Sequence, residues 1–244
     1  MDPNITPGQG PRSRAGTSGG RPGRVARLWG RTLAAALFLV LLGCLYFFVR
    51  SFLKDGLWRF DLTLVNKSLG TTSLLFIALS MLLTGAAYFS RDSARSLAYR
   101  KYFGLAGFWA GLAHAAVNHL LLPAVGLTAE SGVGNRHAEA LGLAALLVFA
   151  VMAAASNGGA RSRMGGARWR RFLRYAGYAG LVLSAGHVAL LKGPSWARYF
   201  RTFDPVLPSL SLPVAAVAVA AILLRVGLWV SMRDGKKRPD GPDA

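Results

Sequence analysis

The chain has 244 residues, 53% of them hydrophobic, and carries 29 Lys and Arg against 10 Asp and Glu. Its basic residues sit between long apolar runs, which argues against a soluble nucleic-acid binder and for a chain that crosses a membrane several times. A single cysteine, Cys44, excludes an internal disulfide framework or a cysteine-ligated cluster.

Residues 1–30 are rich in Gly, Pro, Ser and Arg and offer little to bury, so a disordered basic tail is expected there. The polar lead-in is too long for a secretory signal, and the first apolar run reads as an uncleaved anchor. Six runs then approach the roughly 20 residues that cross a bilayer. They lie at 32–49, 71–90, 102–122, 140–156, 172–191 and 211–231, the fourth being the shortest and Ala-rich. Pro208 and Pro213 introduce the sixth, where proline suits a helix start. The expected fold is all-α: a polytopic six-transmembrane-helix bundle over residues 31–232, followed by a cytoplasmic tail at 233–244.

Lys and Arg count 20 on the side holding both termini and the 2–3 and 4–5 connections, against eight on the other side. The positive-inside rule therefore puts both termini in the cytoplasm. Arg225 lies within the sixth run. It can snorkel to the inner interface or contact a bound group or partner.

Two runs read alike. "KYFGLAGFWAGLAH" (101–114) and "RYAGYAGLVLSAGH" (174–187) map Gly104, Gly107, Gly111 and His114 onto Gly177, Gly180, Ser184 and His187 with one constant offset. Steps of 3, 4 and 3 keep each set on one helix face. Both segments run outward, and each histidine lies 13 residues beyond a basic inner end. That places both imidazoles about 20 Å up a slab about 30 Å thick, level with each other in its outer half. A bare face can let helices touch, as small-xxx-small motifs do. It can also leave a slot for something flat. Two slots ending in level histidines fit a b-type haem with two axial imidazoles. The candidate ligands are His114 and His187, with Gly107, Gly111, Gly180 and Ser184 beside the macrocycle.

Zinc or non-haem iron would want further His, Asp, Glu or Cys ligands at that depth, and neither segment has them. His119 falls about 140° round an ideal α-helix from His114 and reads as an interface residue. His137 reads as a solvated loop residue near Glu130 and Glu139.

At these residues the chain resembles the ferric-reductase-like transmembrane domain family. That family includes ferric reductases, NADPH oxidases and the haem membrane subunit of methionine sulfoxide reductase. The resemblance covers residues 60–232 and rests on "VNKSLG", "YRKYFGLAGF", "RWRRFLRYAGY" and "LPSLSLP" in that order. It implies a six-helix bundle with haem b between the third and fifth helices, held by His114 and His187. Family members with two haems carry inner histidines where this chain has Lys101 and Arg174, so one haem is expected. It further implies a bacterial inner-membrane oxidoreductase subunit. Electrons would come from quinol or a flavin reductase, with any quinone or flavin supplied by a partner, because the tail is short and no nucleotide-binding motif follows. The acceptor would lie outside, as a ferric chelate or a periplasmic oxidoreductase. The alternative is a cofactor-free six-span structural or assembly protein whose glycine stripes only pack helices. No nucleic-acid partner is expected.

Overall fold

The computed structural model describes residues 21–58, 60–89, 91–127, 135–204 and 206–235, and they contain helices and connections with no strand among them. The helices are α1 (Arg21–Asp55), α2 (Leu62–Phe89), α3 (Arg91–Ala116), α4 (Asn135–Ala155), α5 (Gly158–Met164), α6 (Gly166–Thr202) and α7 (Ser211–Gly235). α3 continues through a π turn at Val117–Leu121 into Leu122–Ala124.

Helix ends follow local chemistry. Asp61 precedes α2, and its Oδ1 accepts from the backbone N–H of Leu64 at 3.1 Å and from the Thr63 hydroxyl. Such a cap satisfies donors that the first helical turn leaves free. Asn157 caps α5 by accepting from the Ala160 N–H at 2.8 Å. α6 stops at Phe203, a left-handed residue whose N–H donates to the Tyr199 carbonyl at 2.7 Å. The π turn has a cause in Pro123. A proline ring clashes with the carbonyl four residues earlier and lacks an N–H to donate, so a straight α-helix cannot pass through it unaltered. The helix widens instead, and the Leu122 N–H reaches the Val117 carbonyl.

α2 is the central helix, packed against α1, α3, α6 and α7. Its small hydroxyls are buried and tie it to neighbours through carbonyl oxygens. Ser68 donates to Val40 of α1 at 2.6 Å, and Ser73 and Ser80 donate to Gly107 and Arg100 of α3, both at 2.8 Å. In an apolar bundle such short side chains let backbones approach while keeping every hydroxyl bonded. The core joins Ile77 and Met81 of α2, Phe149 of α4, Leu181 of α6, and Val214 and Ala218 of α7. Outward faces stay apolar, with Leu37, Phe38 and Leu41 of α1, Leu147 of α4 and Leu223 of α7 all exposed.

Five helical stretches are long and apolar enough to cross a membrane: Gly23–Asp55, Leu62–Ala87, Ser96–Ala124, Arg136–Ala155 and Ser211–Ser231. The sequence reading counts six. The remaining run, 172–191, lies inside α6, which is long enough at 37 residues. Arg174, His187, Lys192 and several glycines, serines and tyrosines make α6 less apolar than the rest. The helices also outrun the apolar runs. α1 begins at Arg21, inside the stretch read as tail, and residues 1–20 lie outside the described residues. The tail at 233–244 is described only to Gly235, where α7 ends. α2 begins nine residues before its apolar run and α4 five before, and α6 continues through Pro194 to Thr202.

Candidate functional site

His114 of α3 and His187 of α6 are held by matching devices. The Nδ1 of His114 lies 2.9 Å from the Asn66 carbonyl oxygen in α2. The Nδ1 of His187 lies 2.7 Å from the Ala138 carbonyl oxygen in α4. A carbonyl only accepts, so each ring carries its proton on Nδ1 and leaves Nε2 with a lone pair. Both carbonyls sit in helices, where one lone pair serves the helical N–H four residues on and the imidazole takes the other. In each case the residue four positions on is glycine. A Cβ on Gly70 would stand 3.1 Å from the His114 ring, and one on Gly142 would stand 2.8 Å from His187 Nδ1. The missing side chains are what admit the rings to the helix surface. A backbone acceptor on Nδ1 is the usual partner of an imidazole that binds metal through Nε2.

The two rings line one cavity of about 940 Å³. That volume is at the upper end of the ~300–1,000 Å³ typical of ligand sites. Its walls come from α1, α2, α3, α4, α6 and α7, and include Gly107, Gly111, Ser184, Leu146 and Phe149. Arg50, Lys54, Asp55, Asp61, Lys67 and Glu139 also line it, near the 1–2 connection and the start of α4. At this rim, partial burial raises the Asp61 pKa, but hydrogen bonds from the Thr63 hydroxyl and the Leu64 and Thr63 N–H groups, with Lys67 nearby, outweigh it. The carboxyl is held below its ordinary range.

His119 also lines the cavity. The expected 140° separation from His114 assumes an α-helix. The π turn spends more residues per turn, so five residues bring His119 back toward the His114 face. Asn118 in the same turn accepts from Asn66 Nδ2 at 3.2 Å, while the buried Asn66 Oδ1 has no partner. His137 is exposed at the start of α4, and Glu130 lies outside the described residues.

The glycine stripes serve helix packing. A Cβ on Gly107 would meet Ile77 Cγ1 at 2.7 Å, and one on Gly111 would meet Ser73 Oγ at 2.8 Å. A Cβ on Gly180 would stand 2.6 Å from the Phe149 ring, and one on Gly177 would meet Met81 and Met152. Gly107, Gly111 and Ser184 still border the cavity, whereas Gly180 lies behind Phe149 and away from it. The space beside the histidines is opened by Gly70 and Gly142, which the sequence reading passed over. No protein-family model matches the chain, and no curated protein matches it.

Among the described residues, no three His, Cys, Asp or Glu side chains gather to hold a metal ion by themselves. A macrocycle that brings four nitrogens of its own asks only for two axial donors. The His114 and His187 imidazoles, each keeping an Nε2 lone pair and both lining one roomy cavity with apolar and charged walls, suit that demand. The missed residues had a signal. "NKSLG" (66–70) and "AEALG" (138–142) place the carbonyl acceptor and the glycine at the same spacing, ahead of each hairpin's histidine.

Proposed function

We propose that this chain is a membrane b-type cytochrome of ferric-reductase-like type, passing electrons to an acceptor on the outer side. The observation that carries the reading is the pair of imidazoles, one from α3 and one from α6, each with Nδ1–H given to a helix carbonyl and both lining a shared cavity. Bound there, one haem b would supply reversible one-electron chemistry at its iron. His114 and His187 would hold that iron. Arg50, Lys54 and Lys67 at the cavity rim suit the carboxylates such a group carries. Phe149, Leu146 and Leu74 keep the wall apolar and exclude water.

The membrane part of the reading adds α6 as a sixth span to the five apolar helices, in a bacterial inner membrane with both termini cytoplasmic. Its support is the basic asymmetry, 20 against eight. Lys101 and Arg174 stand where an inner ligand pair would be, so one haem per chain is proposed. The donor is quinol or a flavin reductase, with its quinone or flavin. The acceptor is a ferric chelate or a periplasmic oxidoreductase. A cofactor-free structural protein is the second reading, favoured by the glycines that only pack helices.

A visible spectrum of the full chain, expressed with ample haem and purified in detergent, separates the two. A low-spin bis-imidazole spectrum at about one haem per chain is expected. His114→Ala and His187→Ala should each abolish that signature, and His119→Ala and His137→Ala should keep it. A colourless wild-type protein would overturn the cytochrome and leave the structural reading.

A further inference from the structure

Toward the other end of the bundle from the histidine cavity, one guanidinium group lies over a phenol and two more stand in its neighbourhood. Arg100 comes from α3, Arg174 from α6 and Arg225 from α7, and all three act electrostatically on Tyr178 of α6. The Arg225 guanidinium lies over the Tyr178 ring, 5.9 Å from its centroid. The Tyr178 hydroxyl oxygen is buried and has no hydrogen-bond partner among the described residues. Among the described residues, none of the three arginines is paired with an acidic side chain. Arg100 and Arg225 are themselves partly buried.

Like charges drawn together with no acidic partner among the described residues repel one another, and a buried hydroxyl without a partner is costly. One ligand chemistry answers both. A phosphate brings negative charge, oxygens that match guanidinium geometry, and an acceptor for the phenol O–H. By charge counting this end faces the cytoplasm, where basic pockets between membrane helices take anionic lipid headgroups. On the adjoining face of α6, Arg168 and Arg171 stand over an alcove of about 530 Å³ floored by Phe172, Tyr175, Ala176 and Ala179. An acyl chain suits that alcove, and a free anion has no use for it.

We propose that Arg100, Arg174, Arg225 and Tyr178 bind the phosphate of an anionic phospholipid. The proposal rests on the membrane part of the reading above and not on haem. Its test is native mass spectrometry of the full chain in detergent, titrated with phosphatidylglycerol, phosphatidylcholine, or glycerol 3-phosphate. Phosphatidylglycerol should bind at least about tenfold more tightly than phosphatidylcholine, with affinity falling as salt rises. Each of Arg100→Gln, Arg174→Gln and Arg225→Gln should weaken it about fivefold. Tyr178→Phe keeps the ring and should weaken it severalfold. The visible spectrum should not move in any variant, which keeps this site's failure distinct from that of the histidine site. Equal binding of the two lipids by the wild-type protein would overturn the proposal without reliance on any variant. Unchanged affinity in the triple arginine variant would do so too. Glycerol 3-phosphate binding as tightly as the intact lipid would overturn the lipid assignment.

Discussion

The His187 ring rests on the bare Cα of Gly142, where an added Cβ would stand 2.8 Å from Nδ1. Gly142→Ala should therefore push the ring from the Ala138 carbonyl and remove its hydrogen bond. Overpacking of this kind costs about 1–3 kcal/mol. On the haem reading proposed above, weaker haem retention and a shifted Soret band are expected. Gly70→Ala, whose Cβ would meet His114 at 3.1 Å, should act in the same direction and more mildly. The readouts are pigment stoichiometry and thermal midpoint, measured on both variants. A larger loss in Gly70→Ala than in Gly142→Ala would contradict the contact geometry.

Packing between α2 and α3 gives a prediction independent of any ligand. Ser73 donates to the Gly107 carbonyl, and Ile77 fills the space over the Gly107 Cα. Ser73→Ala should cost only about 0.6 kcal/mol, the average for such bonds between membrane helices. Gly107→Leu should cost several times more, because the two backbones must separate. Denaturation in mixed micelles of ligand-free protein would compare them, and near-equal losses would refute close packing at Gly107.

Asp61 makes stability depend on acid. Its carboxyl titrates below its ordinary range in the folded chain, where hydrogen bonds and Lys67 outweigh partial burial. A lowered folded pKa gives stability that is present above the unfolded value, about 3.9. It is lost as pH falls through the folded value. Asp61→Ala should cost about 0.5–2 kcal/mol at neutral pH, as lost caps do. The difference between variant and wild type should shrink below about pH 4. A difference that stays constant down to pH 2 would exclude the carboxylate as its source.

Asn118 and Asn66 test the π turn. Asn118→Ala strands the buried Asn66 amide and should cost about 1–3 kcal/mol. Asn66→Ala removes both halves of the problem, including the unpartnered Oδ1, and should cost less. A thermal shift series that ranks them the other way would argue against the Asn66–Asn118 bond.

The apolar runs were legible because lipid-compatible helices need them, and the two histidines stood out because their segments repeat. The partners of those histidines were harder to see for a physical reason. Asn66 and Ala138 lie in the polar first turns of α2 and α4, ahead of where hydropathy rises. A hydropathy reading starts those helices too late and leaves both acceptors outside them. The glycine stripes were ambiguous because close packing and a slot ask for the same small residues. The ideal-helix angle between His114 and His119 does not hold, because a π turn changes the residues per turn, and only Pro123 hinted at it. α6 is helical throughout although its composition is the least lipid-like of the long helices, since burial against α4, α2 and α7 supports it.

The hairpin α2–α3 carries one imidazole with its carbonyl and glycine, and the pair α4–α6 carries the other set. Each half is made complete in its own grip, and neither can close a two-handed hold alone. In chain order the first grip precedes the second. A group seized by both would act as a rivet, set only when the halves have met. It would make the late hairpin's docking the moment at which the protein commits to its final form.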